Sequence, residues 1–306
     1  MNSTGSLRPE ESVSPAAVAA ARAAATAAAE RSGVTITQVH ELPDVELVRQ
    51  VIDEIWNPRA GDPPVTQGIL RALTHGGNYC TLAWDGGRAV GVSLAFLGID
   101  PPGSLHSHIT GVSGAVPGRH VGRALKLDQR AWALEHGLTT VMWTYDPLVR
   151  RNAYFNAGKL GALPTKYLVD FYGTMDDAIN AGQATDRLAV TWRLLDARVV
   201  ELCAGRAPDL DAAALVADGA RVALDEVGGQ PVVTAPASDA DAPDAASVRL
   251  VRVPADVEAL RHADPATALR WRLAVREVLG GLMGDGWTVT GASKDGFYVV
   301  SRGEGL

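Results

Sequence analysis

Val116-Pro117-Gly118-Arg119-His120-Val121-Gly122-Arg123-Ala124-Leu125-Lys126 is the stretch that decides the fold. It leaves a predicted strand over about residues 105–112, turns through glycines, and enters a predicted helix over 122–136. The helix places Ala124, Leu125, Leu127, Ala131, Trp132 and Leu134 at three- and four-residue steps, with Arg123, Lys126, Gln129 and Arg130 outside that apolar set. Such a helix covers a sheet. Its first amide N–H groups lack intrahelical acceptors and sit at the positive end of the helix dipole, so the turn before it suits a phosphate or diphosphate. Charge agrees with this: from Ala115 to Val169 eight Arg and Lys residues stand against three acids, in a chain of formal net charge -7.

Working outward, the pattern alternates between strand and helix. Upstream, strands are predicted over 35–40, 79–84 and 89–97 and helices over 45–56 and 66–74, with Asp85-Gly86-Gly87 as a hairpin turn. Downstream come a strand over 140–145, a helix over 149–160 and a strand over 167–173. The order predicts an α/β (α+β) protein with a mixed sheet and helices on both faces. Residues 1–33 read as a mobile N-terminus and an alanine-rich helix, which is an appendage, a packing arm or a dimer contact. Residues 34–204 form the main domain, and 205–247, with eight acids and two arginines among many Ala and Pro, read as an acidic linker or insertion. A C-terminal αβ extension over 248–306 follows, ending in a hairpin of 287–290 with 297–300.

Composition narrows the function classes. The 306 residues are 47% hydrophobic and 21% charged, values of a globular chain rather than a disordered or fibrous one. Net negative charge opposes non-specific attraction to nucleic acid or anionic lipid. No apolar run reaches the length of a membrane span, and the first residues lack the basic start of a secretory signal. Cys80 and Cys203 have no metal-ligand spacing and read as reduced, so the expected location is cytoplasmic, with no membrane or nucleic-acid partner.

Arg119, Gly122 and Ala124 stand where the pattern Q/R-x-x-G-x-G/A requires them, and Asn152 to Ala162 supplies a second segment ending in Lys159-Leu160-Gly161. On these motifs the chain resembles the GNAT acyltransferase superfamily. It is similar, more narrowly, to predicted acyltransferases associated with N-succinylamino acid racemases. That likeness rests on Ser107-His108, Trp143-Thr144-Tyr145-Asp146-Pro147-Leu148, Arg151 to Asn156, Tyr172-Gly173, Asp186-Arg187 and Trp271-Arg272, and spans about residues 36–302. The resemblance implies a GNAT-like, mostly antiparallel sheet and a coenzyme A thioester, acetyl-CoA or succinyl-CoA, as co-substrate. Gly118, Arg119, His120, Val121, Gly122, Arg123 and Ala124 would hold its diphosphate, and amides of Thr110, Gly111 and Val112 would polarise the thioester carbonyl. Two positions depart from the pattern. Aligned without gaps, the subgroup's R-G-x-G-x-G has Pro117 for its arginine and His120 for its middle glycine; in the shifted register Arg119 restores the motif. The usual tyrosine acid, four residues before Gly161, is Ala157.

An acyl acceptor amine must lose a proton, and His106 and His108, two apart on one strand, are candidate bases. A metal site is not expected from two histidines with no third ligand. Tyr154 is the candidate substitute acid. Arg150 and Arg151 are candidate carboxylate clamps, Asn152 and Asn156 candidate partners for the pantetheine amides or acceptor, and Tyr145 and Asp186-Arg187 candidate acceptor contacts, Asp186-Arg187 alternatively forming a turn ion pair. The expected function is direct transfer of a succinyl or acetyl group to the amine of an amino acid or similar small metabolite. The alternatives are carrier-protein acyl transfer, acyl-CoA decarboxylation, and a non-catalytic acyl-CoA sensor.

Overall fold

The computed structural model describes residues 13–58, 63–173, 184–206, 209–234 and 247–302. These fall into two units, Met1–Val141 with Arg193–Leu195, and Met142–Trp192 with Asp196–Leu306. The division cuts the strand expected at 140–145 rather than falling near residue 204, and the N-terminal residues 1–12 lie outside the described residues.

In the first unit, Ser14 accepts from the Ala17 amide to start α1 (Pro15–Ser32), which Gly33 ends in the left-handed region. There follow β1 (Thr35–Gln38), α2 (Leu42–Trp56), α3 (Gln67–His75), β2 (Cys80–Asp85), β3 (Arg88–Gly98), β4 (Ser104–Val112) and α4 (Val121–Glu135). The four strands pair antiparallel in chain order, and the expected hairpin is present, with Asp85 opposite Arg88 across Gly86-Gly87. Val92 and Leu94 of β3 join Val48, Ile52 and Leu70 in one apolar cluster with α2 and α3. Alternation along β3 turns Gly91 and Ser93 the other way, where they meet Leu125 and Gln129 of α4. Helices therefore cover both faces of this sheet.

The alanine helix is a packing arm. Ala21, Ala25, Ala28 and Ser32 form one buried row, and small side chains let α1 lie close on α4. Arg22 of α1 donates to Asp128 at 2.6 Å and to both oxygens of Glu135 at 2.9 and 2.7 Å. Enclosed between α1 and the sheet, α4 is buried nearly all round, which corrects the expectation for its polar residues: Lys126, Gln129 and Arg130 are interior.

The second unit takes up β5 (Thr140–Tyr145) from residue 142, then α5 (Arg150–Ala153), which widens into a π-helix over Tyr154–Leu160. It continues with β6 (Leu163–Leu168), β7 (Arg187–Arg193), α6 (Ala197–Cys203), α7 (Ala212–Ala217), β8 (Arg221–Val227), β9 (Gln230–Val233) and β10 (Val248–Arg252). Last come α8 (Val257–Ala263), α9 (Pro265–Val275), a π-turn over Arg276–Gly280, α10 (Gly281–Gly284), β11 (Thr288–Ala292) and β12 (Phe297–Ser301). β6 and β7 pair antiparallel, and a five-stranded sheet runs in the order β11-β12-β10-β8-β9, with β10–β8 as its parallel pair. Pairing is mostly antiparallel in both units, as expected.

The stretch 205–247 is not a linker in its described part. Asp211 caps α7 by accepting from the Ala213 and Ala214 amides, Gly228-Gly229 makes the tight turn between β8 and β9, and Ala223 and Leu224 are fully buried. Residues 207–208 and 235–246 lie outside the described residues.

Candidate active site

In the first unit, β4 carries a bulge. Leu94 of β3 faces Ile109 and Ala95 faces Ser107, so His108 is the extra residue. The bulge keeps His106 and His108 near one another across Phe96: the His106 ring stacks on Phe96 at 5.0 Å and the two imidazoles are 6.3 Å apart. Burial holds both imidazoles below the ordinary histidine range, with neighbouring positive charge adding to the effect at His106. His108 is the more exposed of the two. Both are therefore neutral at pH 7 and able to accept a proton.

Beyond the bulge, Thr110, Gly111 and Val112 pair with Ser93, Val92 and Gly91, and alternate amides of this run point away from β3. A Cβ at Gly111 would lie 2.2 Å from the Trp56 ring, so glycine is what permits the indole to lie on β4. The chain then enters the turn. The Ser113 hydroxyl donates to Glu54 at 2.5 Å and accepts from the Ala115 amide at 3.2 Å, which fixes the turn's first half. Gly118 at φ 73° and His120 at φ 60° give it two left-handed residues. His120 thus occupies, as a non-glycine, the conformation that glycine adopts freely, at the position where the resemblance expects glycine.

His120's carbonyl accepts from the Arg123 and Ala124 amides, while Val121 and Gly122 form the first turn, where no intrahelical acceptor exists. A Cβ at Gly122 would touch only Val112 at 3.7 Å, and nothing lies within 4 Å of one at Gly114 or Gly118. A diphosphate fits here as a ligand of main-chain amides. Arg119 does not join it through its side chain. The guanidinium donates to Asp85 at 2.5 and 3.2 Å, to the Ser32 carbonyl at 3.1 Å and to the Gly33 carbonyl at 2.9 Å, tying the turn to the end of α1. Arg123 is half-buried at the third position of α4.

The residue that sequence reasoning missed is Lys126. Its side chain is 3% exposed, and its ammonium nitrogen donates to Ser107 Oγ at 3.0 Å and to Gln129 Oε1 at 2.6 Å. Gln129 donates in turn to Ser93 Oγ at 3.3 Å, and Ser93 shares a 2.9 Å hydrogen bond with Thr110 Oγ1. A polar chain therefore runs beneath β4 from the bulge to the strand amides. Burial brings Lys126 down to about 7. The one available signal was its position four residues, about one helical turn, after Gly122.

In the second unit the expected residues take other roles. Tyr154 opens the π-helix, half-buried, with the Lys159 ammonium 5.0 Å from its ring centre, its hydroxyl accepting from Lys159 and donating to Asp209. Burial raises its pKa, so it is protonated at neutral pH. Ala157, in the usual acid position, is fully buried. Asn152 is half-buried and Asn156 buried, one turn apart. Of the expected carboxylate clamp, Arg150 donates twice to the Lys294 carbonyl, at 3.1 and 2.7 Å, and Arg151 pairs with Glu258 at 2.6 Å. Tyr145 is a core residue, its hydroxyl accepting from Tyr298 at 3.2 Å. Asp186 is fully buried and held by Arg276 Nη2 and Nε at 2.7 and 2.9 Å, by Tyr167 at 2.8 Å and by the Asp170 amide, so its ion pair is with a distant arginine and not within its own turn. Cys80 and Cys203 are both buried. Among the described residues no group of three or more His, Cys, Asp or Glu is placed to hold a metal ion, and no helix is long and apolar enough to cross a membrane.

No family model and no curated protein matches the chain. Solved structures similar to part of it are acetyltransferases. One from Bacillus subtilis, in complex with CoA, is 18% identical over 53% of this chain and 99% of its own, with a TM-score of 0.42. An N-acetyltransferase from Staphylococcus aureus Mu50 is 14% identical over 53% and 98%, with a TM-score of 0.44. Diaminobutyrate acetyltransferase EctA from Paenibacillus lautus, in complex with L-2,4-diaminobutyric acid and coenzyme A, is 16% identical over 53% and 96%, with a TM-score of 0.41.

Proposed function

We propose that the chain is a coenzyme A-dependent N-acyltransferase that moves an acetyl or succinyl group to the amine of an amino acid or similar small metabolite. The observation that carries this reading is the turn into α4: two left-handed residues, Gly118 and His120, lead into a 15-residue helix whose first amides, those of Val121 and Gly122, have no intrahelical acceptor. Those amides, with those of the preceding turn, would hold the diphosphate of the thioester substrate, and alternate amides of Thr110 to Val112 would face its carbonyl.

Attack is direct. Cys80 is buried, and burial pushes its thiol up to about 12, so it offers no thiolate to form a covalent intermediate. The proton released by the attacking amine passes to a neutral imidazole, His108 as the more exposed or His106 beside it.

Thiol release from acetyl-, succinyl- and malonyl-CoA, with and without an amino-acid mixture, tests the reading. Acceptor-dependent thiol is the expected result; binding without turnover refutes catalysis. Gly122→Asp brings a carboxylate to the cradle and weakens CoA affinity at least 10-fold by like-charge repulsion. Unchanged affinity in calorimetry would place the cofactor elsewhere.

A further inference from the structure

Around Asp146 the second unit buries more positive charge than it neutralises. Arg272, 1% exposed, donates to both Asp146 oxygens at 2.8 and 2.7 Å, and Arg261, 5% exposed, donates to one of them at 2.5 Å. The Nε of each is buried without a hydrogen-bond acceptor. A third guanidinium, Arg187, lies within electrostatic reach of Asp146, Arg261 and Arg272. Its one hydrogen bond among the described residues goes to a main-chain carbonyl, that of Asp186, at 2.9 Å, and none of its ion pairs is with a carboxylate there. The nearby Asp186 carboxylate belongs to Arg276, whose other acidic neighbour is Asp170. Arg187, Arg261 and Arg272 thus lie about Asp146, while the Asp186 carboxylate, which acts on Arg272 as well, is hydrogen-bonded by Arg276. Burial and the two like charges disfavour the Arg187 cation. An incoming anion relieves both penalties at once.

The same arginine is the accessible one. Arg187 is half-buried and stands 5.0 Å over the ring of Tyr172, which is 52% exposed. Stacking fixes the plane of the guanidinium and leaves its edge for a planar, two-oxygen ligand.

We propose that Arg187, stacked on Tyr172 and backed by Arg261 and Arg272, binds the carboxylate of a small organic acid. Binding itself is independent of the acyl-transfer reading; its use there, to select an acceptor or an acyl chain that bears a carboxylate, rests on that reading.

Calorimetry on the full chain at low ionic strength, without CoA, tests the site with succinate and L-glutamate against succinamide. The expected result is that at least one carboxylate binds and the diamide does not. Arg187→Met weakens that affinity by about 30-fold or more, and Arg187→Lys restores part of it, with circular dichroism unchanged in both. Equal binding of acid and amide, or an unaltered affinity in Arg187→Met, overturns the proposal. Thiol-release arms then separate the sources: an amino acid against its amide with acetyl-CoA, and succinyl-CoA against butyryl-CoA with a neutral amine. Preference for the carboxylate in either arm supports the site, and indifference in both overturns its role in transfer. Loss of CoA affinity for the wild-type chain would refute the acyl-transfer reading alone, since the succinate titration does not involve CoA.

Discussion

Replacing Lys126 with Met should remove the pH dependence of stability that this lysine imposes on the fold. Burial lowers the ammonium from 10.5 in the unfolded chain to about 7 in the folded one. Between those values the unfolded chain binds the proton and the folded chain does not, so stability rises with pH across this window and falls as the pH drops toward 7. At 1.36 kcal/mol for each tenfold change, full protonation of the folded chain costs about 5 kcal/mol relative to the neutral amine. Methionine removes that cost and also the hydrogen bonds to Ser107 and Gln129, together about 2 kcal/mol with their acceptors left buried. Lys126→Met should therefore be more stable than wild type by about 2–3 kcal/mol at pH 6 and less stable by about 2 kcal/mol above pH 10. Urea denaturation from pH 6 to 10 reads this directly, as two stability curves that cross. Parallel curves for the two proteins would show that the ammonium is not desolvated as its surroundings require.

His108→Ala should abolish the rise of kcat/KM with pH that wild type shows below about 6.5, because the folded imidazole titrates below its ordinary value; an unaltered pH–rate profile would remove His108 as the base. His120→Gly relieves a left-handed backbone at φ 60° and should stabilise the fold by about 1 kcal/mol in denaturant titrations, while CoA affinity stays within about threefold. A large loss of CoA affinity in that variant would mean that the imidazole, rather than the main chain, contacts the anion.

The sheet of the first unit was legible because its signals are local. Asp85-Gly86-Gly87 fixes a two-residue turn, the β2 and β3 segments are rich in apolar and β-branched residues, and the six apolar positions of α4 recur at helical spacing. What escaped is what depends on a second layer. Lys126, Gln129 and Arg130 escaped because periodicity marks apolar stripes and cannot register polar groups buried with their partners, here Ser107, Ser93 and the Leu194 carbonyl, any more than it shows that an alanine helix over residues 15–32 covers another side of α4. Alanine hides this role, since its small side chain gives a weak apolar signal at the contact that closes most tightly. In 205–247 the acids and prolines of the surrounding sequence outweighed Val222-Ala223-Leu224 and the Gly228-Gly229 turn, which form part of a sheet whose neighbour, β10, lies more than twenty residues on.

The arginines show why functional side chains are harder to read than the cradle itself. Arg119, Arg150 and Arg151 stand beside motif residues in the sequence, yet in space each is engaged by a nearby carboxylate or by main-chain carbonyls. Proximity along the chain says nothing about which charges are already neutralised; that depends on carboxylates brought in from elsewhere, as Asp85 is to Arg119 and Glu258 to Arg151. The turn into α4 escapes this uncertainty because its donors are main-chain amides, present whatever the side chain. Substitution there acts through φ and through bulk. Pro117 is exposed and gives up one N–H ahead of the helix, and His120 keeps the left-handed geometry at a modest conformational cost, so neither departure from the glycine pattern closes the cradle. A carboxylate at Gly122 is different in kind, since it opposes the anion by charge at the point where the helix's own amides converge.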